Sequence, residues 1–265
     1  MARRDWPVIV GGCHRSGTSL LRRLLNAHSR IHCGPEVKFF RDLYGDYPAD
    51  PLTHLRFFTT ARTMASESDL LDVMGGAFIA LHERAAASAG KVRWADKTPE
   101  NVLYLADWQR LLDDRWLFVH VVRNPLDTLA SIKQVRFPLT IPPDLEARIA
   151  FYRQYTQAGA AFGVRHPGRC YRVAYEDLVL SPESTLGSLM QWLGEALEPS
   201  QFTFNDVRQQ PGLEDPNVAS TAGIHSASVD RWASVLTPEE VSTIRAATGE
   251  LWDALNRDAM SGAAS

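Results

Sequence analysis

Three cations in this sequence stand where a short apolar run gives way to a helical pattern. Arg15 lies within Gly11-Gly12-Cys13-His14-Arg15-Ser16-Gly17-Thr18-Ser19, Lys97 within Asp96-Lys97-Thr98-Pro99, and Arg123 opens Arg123-Asn124-Pro125-Leu126-Asp127. The first stretch reads as a phosphate cradle. Its backbone amides, at a helix N-terminus opened by Thr18 and Ser19, surround an anion that the helix dipole already favours. Gly12 and Gly17 have the six-position span of the nucleotide loop G-x-x-x-x-G-K-[ST], but Thr18 stands where that motif has its lysine. Arg15 offers the missing cation from inside the loop. Lys97 can aim a second cation at the same anion, its plain alternative being a surface lysine beside Asp96. Arg123 and Ser131, the latter two turns into the following helix, can converge on another oxyanion as charge-assisted donor and hydroxyl. Asp127 is placed to cap or orient them. Glu36, just past the break Gly34-Pro35, is a candidate general base, against a solvated loop glutamate; His14 is the rival base.

The elements that must position these groups follow from periodicity. Pro7 to Val10 reads as a strand, and Leu20, Leu21, Leu24 and Leu25 carry a helix to about Ser29. Ile31 to Cys33 reads as a second strand that ends before Glu36. From Phe39 to about Gly90 the pattern is helical and broken at Pro48 and Pro51, with Phe39, Phe40, Tyr44, Tyr47, Phe57 and Phe58 as core or as the wall of an acceptor pocket. Thr98 is read as the cap, and Pro99 as the first residue, of a helix bearing Val102, Leu105 and Trp108. Trp116 to Val122 is apolar on both alternating sets, as a central parallel strand should be, with His120 as a core histidine.

The loop from Phe137 to Asp144 holds three prolines and could cover a substrate. A helix from Leu145 to about Phe162, a strand from Cys170 to Tyr175, and a helix opened by Ser181-Pro182 and reaching Leu193 follow. Residues 198–231 are polar and loop-rich, a last helix runs from Thr237 to about Arg257, and residues 259–265 read as a mobile tail. This β–α alternation predicts an α/β protein, a parallel sheet with helices on both faces.

The 265 residues, 45% of them hydrophobic, fit one domain spanning 1–265. A formal charge of −3 without a long basic run argues against binding a nucleic-acid polymer, so any anion must be held locally. Three cysteines without a C-x-x-C pair suggest neither a disulfide framework nor a zinc site, and fit a cytoplasmic protein. No apolar stretch has the length of a membrane span or of a signal-peptide core.

Arg15-Ser16-Gly17-Thr18-Ser19, Asp96-Lys97-Thr98-Pro99, Val122-Arg123-Asn124-Pro125 with Ser131, and Tyr175-Glu176-Asp177-Leu178 together resemble the sulfotransferases that use 3′-phosphoadenosine 5′-phosphosulfate (PAPS). The branch they look most similar to is the protein-tyrosine sulfotransferase-like and bacterial one. The resemblance implies a three-layer, P-loop nucleotide-hydrolase-like fold with a central parallel sheet and helical elaborations. It implies that the loop from His14 to Ser19 holds the 5′-phosphosulfate and that Arg123 and Ser131 hold the 3′-phosphate. Glu36, 21 positions after Arg15, matches the glutamate base of the tyrosylprotein enzymes. Lys97 matches the lysine that stabilises the transferring group, and Tyr175 a residue lining the nucleotide site. The Arg-Lys-Gly motif of the cytosolic branch is absent, so the C-terminal contact is expected within His225 to Arg231, with Ser226, Ser228 and Arg231 as candidates.

The expected reaction is sulfuryl transfer from PAPS to an acceptor hydroxyl, catalysed by Glu36, Arg15 and Lys97, leaving adenosine 3′,5′-bisphosphate (PAP) and requiring no metal. An ATP-dependent P-loop phosphotransferase and a non-catalytic nucleotide-binding protein are the alternatives. The sequence does not choose among a small alcohol, a glycan, a lipid and a peptide as acceptor.

Overall fold

The structure, a computed structural model, describes residues 3–46, 56–135, 140–205 and 223–262. Its first half comprises β1 (Val8–Gly12), α1 (Thr18–Asn26), β2 (Ile31–Cys33), α2 (Phe39–Tyr44), α3 (Arg56–Ala61), α4 (Glu67–Ser88) and β3 (Arg93–Lys97). A 3₁₀ turn over Pro99–Leu103 leads to α5 (Leu105–Leu112), β4 (Leu117–Val122), α6 (Pro125–Gln134) and α7 (Leu145–Arg165). The chain continues through β5 (Cys170–Ala174), α8 (Tyr175–Leu180), α9 (Pro182–Leu193) and α10 (Pro238–Gly262).

All strand pairs are parallel and the spatial order is β2-β3-β1-β4-β5. Parallel strands demand crossover helices, which cover both faces and make the central strands apolar on both alternating sets. Val8 and Val10 pack on one side with Leu21, Leu24 and Leu25 of α1 and with α9; Ile9 packs on the other with Trp108, Phe118 and α7. Every residue of β1 and β4 is buried. At about 1.5–3 kcal/mol for each fully buried large aliphatic side chain, this double-sided core fixes where the strands stop.

Several boundaries differ from the periodicity. Thr98-Pro99 opens the 3₁₀ turn, not a helix, and α5 begins at Leu105. The Asn101 amide explains the turn: it donates to Val10 O at 3.1 Å and to Asp96 Oδ1 at 2.6 Å, while its carbonyl accepts from the Trp108 indole at 3.1 Å. Ser181 precedes α9 without a side-chain capping bond. Tyr175 does not prolong β5 but begins α8. Phe39 and Phe40 are core, whereas Phe57 is exposed. The last helix runs to Gly262; Tyr47, the breaks at Pro48 and Pro51, residues 137–139 of the proline-rich loop, 206–222 of the polar stretch and 263–265 of the expected tail lie outside the described residues.

Candidate active site

Because all five strands run the same way, their carboxyl ends share one edge of the sheet, the edge where open α/β sheets receive ligands. Each strand delivers at least one expected residue there. β1 leads to the loop of His14 and Arg15, β2 to Glu36, β3 ends on Lys97, β4 is followed by Arg123, and β5 by Tyr175.

Glycine is required at two positions of the loop. A Cβ on Gly12 would sit 2.2 Å from the carbonyl oxygen of Val121, and one on Gly17 would sit 2.3 Å from Cδ2 of Tyr175. Gly17 also has φ +98°, a left-handed conformation that glycine adopts without strain. Arg15 adopts φ 68° despite its side chain, at a cost of order 1–3 kcal/mol that the surroundings must offset. Arg123 does so in part, since its guanidinium donates to the Arg15 carbonyl oxygen at 2.9 Å. It also donates to the Ser228 carbonyl oxygen and lies 4.4 Å from the centroid of the Tyr175 ring. Its own carbonyl oxygen accepts from Tyr152 Oη at 3.0 Å.

Arg15 Nε donates to Ser131 Oγ at 3.0 Å, so the loop cation and the α6 hydroxyl already converge. Arg15, Arg123, Ser131, Tyr175, Ser228 and Arg231 line one cleft of about 700 Å³, part of it open to solvent. The cleft suits an anion. Ser16 Oγ and Arg123 Nε are buried without a hydrogen-bond partner among the described residues, and burial pulls the Arg123 guanidinium below its ordinary pKa. An incoming phosphate would satisfy such donors. Asp127 neither caps α6 nor orients Arg123 and Ser131 by hydrogen bonding. Asn124 is the cap, accepting from Leu126 N, and the Asp127 carboxylate accepts from the backbone amides of Asp230 at 2.9 Å and Trp232 at 3.0 Å. It thereby holds the segment bearing Ser228 and Arg231 over the cleft; Ser226 is not among the residues lining it.

The second half of the site centres on Lys97. Its ammonium lies 2.8 Å from Glu36 Oε2 and donates to Ser19 Oγ at 3.3 Å, and the residue is 1% exposed. Asp96 is occupied elsewhere, by Asn101 and by His82 at 3.3 Å, so Lys97 is not a surface partner of its neighbour. Nor is Glu36 a solvated loop residue, for Lys38 Nζ lies 3.1 Å from its Oε1. Burial pushes the Glu36 carboxyl up, but Lys97 and then Lys38 override it and hold the group below its ordinary pKa. His14 faces Glu100, with Nε2 3.1 Å from Oε1, and packs beside Phe151 and Tyr155.

Glu100, Lys38 and Arg41 also meet at this edge, and no motif of the sequence assigns them a role. Their only sequence signal is proximity: Lys38 two positions after Glu36, Glu100 three after Lys97. Among the described residues, no three His, Cys, Asp or Glu side chains could hold a metal ion together, and no helix is long and apolar enough to cross a membrane.

A model of the sulfotransferase family matches residues 7–199. The protein-tyrosine sulfotransferase of Drosophila melanogaster is 25% identical over 270 aligned residues, covering 96% of this chain and 50% of that protein. The chain spans from 50% to 64% of the length of the relatives it matches. Among solved structures, the sulfotransferase domain of the Synechococcus PCC 7002 olefin synthase gives a TM-score of 0.65 at 20% identity, over 90% of this chain and 92% of that one. A mouse sulfotransferase complexed with PAP gives 0.53 at 13% identity, over 98% and 90%. These likenesses are of fold, that of a P-loop nucleotide-hydrolase-like protein. With the family match running through all five strands and every strand-end residue from His14 to Tyr175, the chain belongs to the sulfotransferase family.

Proposed function

We propose that the protein transfers the sulfuryl group of PAPS to a hydroxyl of an acceptor, releasing PAP. The observation that carries this reading is the pair of buried Lys97 and half-buried Glu36, 2.8 Å apart and fastened to the first turn of the loop helix through Ser19. In-line transfer moves charge from an attacking oxygen to a leaving phosphate oxygen, so it needs a base at one end and cations at the other. Glu36 takes the proton of the acceptor hydroxyl as the oxygen bonds to sulfur. The bond between sulfur and the bridging oxygen breaks, its electron pair stays on the phosphate, and Lys97 and Arg15 stabilise that charge.

In this reading the amides and hydroxyls from His14 to Ser19 hold the 5′-phosphosulfate. Arg123 and Ser131 hold the 3′-phosphate, while Tyr175, Ser228 and Arg231 line the nucleotide cleft. The PAP bound by the mouse enzyme of like fold supports the choice of nucleotide. One domain carries both halves, because the segment at 223–235 closes on loops from the strand ends. Free Cys13, Cys33 and Cys170 suit the reducing cytoplasm.

The test is a thermal-shift comparison of PAP, PAPS, ATP, and ATP with magnesium. A ligand at a hundred times its Kd stabilises the folded state by about 2.7 kcal/mol, so PAP and PAPS are expected to raise Tm by several degrees and the ATP conditions by far less. Stabilisation by ATP with magnesium exceeding that by PAPS would overturn the reading in favour of phosphoryl transfer. Radiolabelled PAPS offered with small alcohols, glycans, lipids and peptides then identifies the acceptor.

A further inference from the structure

Glu36 is gripped from two sides, and one of the grips is shared. Lys97 Nζ faces Oε2 at 2.8 Å, and Lys38 Nζ faces Oε1 at 3.1 Å. The same Lys38 ammonium donates to Glu100 Oε1 at the shorter distance of 2.8 Å. Glu100 is 1% exposed and gathers three groups on that single oxygen: Lys38, Arg41 NH1 at 3.0 Å and His14 Nε2 at 3.1 Å. Its Oε2 is buried with no hydrogen-bond partner among the described residues. Lys38 lies at φ 55°, in the left-handed region, immediately before α2. A lysine keeps that backbone only when its surroundings over-determine it. Glu100 follows Lys97 through the tight turn at Pro99, so the strand that brings one cation to Glu36 also brings the anion that competes for the other.

We propose that Glu100 is a positioning residue for sulfuryl transfer: by holding Lys38 more closely than Glu36 does, it keeps Glu36 Oε1 the less tightly held of the two carboxylate oxygens, the one that takes the acceptor's proton while Lys97 stays on Oε2. This rests on the reading of Glu36 as the base. A carboxylate tied fully to two ammonium groups is a poor proton acceptor, and a nearby anion restores its basicity. The charged and titratable groups facing Glu36 are Lys97 from β3, Lys38 from its own segment, Glu100 from the 3₁₀ turn and His14 from the loop. Glu100 cannot be the base itself. Burial would raise its pKa, but His14 and Lys38 hold it well below the ordinary carboxylate range, and no solvent reaches it. The proton passes from the acceptor oxygen to Glu36 Oε1, the freed electron pair forms the new O–S bond, and the leaving phosphate keeps the pair of the broken one.

Glu100→Gln and Lys38→Met in the full chain test the assignment by moving Glu36 in opposite directions. Two readouts apply: the acid limb of kcat/KM, with an acceptor found as above, and the titration of the Glu36 carboxyl. The latter is read by NMR in protein labelled with ¹³C at glutamate carboxyls, and assigned against Glu36→Gln. The expected results are a shift to lower pH in Glu100→Gln, with kcat down on the order of tenfold and KM for PAPS little changed, and a shift to higher pH in Lys38→Met. General loosening of the site would not give opposite signs. An unmoved Glu36 titration in Glu100→Gln, or shifts of the same sign in both variants, overturns the proposal. If Glu100→Gln does not fold, Lys38→Met decides, and a titration that fails to rise overturns it. Wild-type turnover in Glu36→Gln would refute the base, while the NMR titration would still report whether Glu100 governs Glu36.

Discussion

Arg123 donates to the carbonyl oxygen of Arg15 across 2.9 Å, so the cation that follows β4 fastens the backbone of the loop that follows β1. The same side chain lines the cleft. Removing it therefore takes a charged donor out of the cleft and releases a strained loop residue.

Arg123→Ala is expected to weaken PAP binding more than Ser131→Ala. A charge-assisted contact is worth about 1.5–3 kcal/mol and a neutral hydroxyl contact about 0.5–1.5 kcal/mol, which predicts roughly ten- to hundredfold against a few-fold. Titration calorimetry with PAP measures both; unchanged affinity in both variants would remove the 3′-phosphate assignment.

Gly17→Ala is expected to be costly twice over. The new methyl meets the Tyr175 ring at 2.3 Å, and alanine is strained at φ +98° by about 1–2 kcal/mol. Tm should fall and PAP affinity with it. Gly17→Ala combined with Tyr175→Ala should recover part of the stability, because the contact is relieved and the backbone strain is not. A single variant that melts and binds like wild type would contradict this account of the loop.

Lys97 and Glu36 should separate binding from turnover. Lys97→Ala should lower kcat more than it raises the Kd of PAP, since its charge matters most as negative charge builds on the leaving oxygen. Glu36→Gln should keep PAPS affinity while kcat drops by about 10²–10⁴, and His14→Asn should do much less. Equal losses of binding and rate in Lys97→Ala would make it a ground-state anchor. A nearly wild-type Glu36→Gln beside a dead His14→Asn would exchange the two bases.

Acid should unfold the protein partly through this cluster. Glu36 and Glu100 are held below the ordinary value of 4.5 in the folded state. Below that value the unfolded chain binds more protons than the native one, so stability present above pH 4.5 is lost as pH falls through the folded values. Wild-type Tm should fall steeply on acidification, and its gap over Glu100→Gln should shrink with it. A gap that stays constant from about pH 7 to pH 3 would contradict the linkage.

The strand ends were legible in the sequence because apolar runs and their breaks are local signals. Arg15, Lys97, Arg123 and Tyr175 could all be placed that way. Side-chain partners were not legible, because they depend on which strands lie side by side. Sequence leaves Lys97 between a cation aimed at the cradle's anion and a surface partner of Asp96; the β2–β3 pairing, with Cys33 opposite Ala95, brings it a partner that neither reading names, Glu36. The α5 start is not legible, because Thr98-Pro99 is an equally good opening for a 3₁₀ turn, and what selects the turn is Asn101 reaching back to Val10. Asp127 could be seen to sit near Arg123, but not that it would grip amides 103 and 105 positions away.

That grip imposes an order of events on synthesis. The family match ends at residue 199, yet the cleft is walled by a segment from 223 to 235. The last strand ends at Ala174, ahead of that wall in the chain, so a nucleotide held under the wall would be captured only after the sheet's strands have all been made. Chains cut near residue 200 lose both that wall and the last helix, whose Ile244 is fully buried in the core shared with α6 and α7, and should fail to retain PAP, making nucleotide retention a reporter of completed translation through the wall.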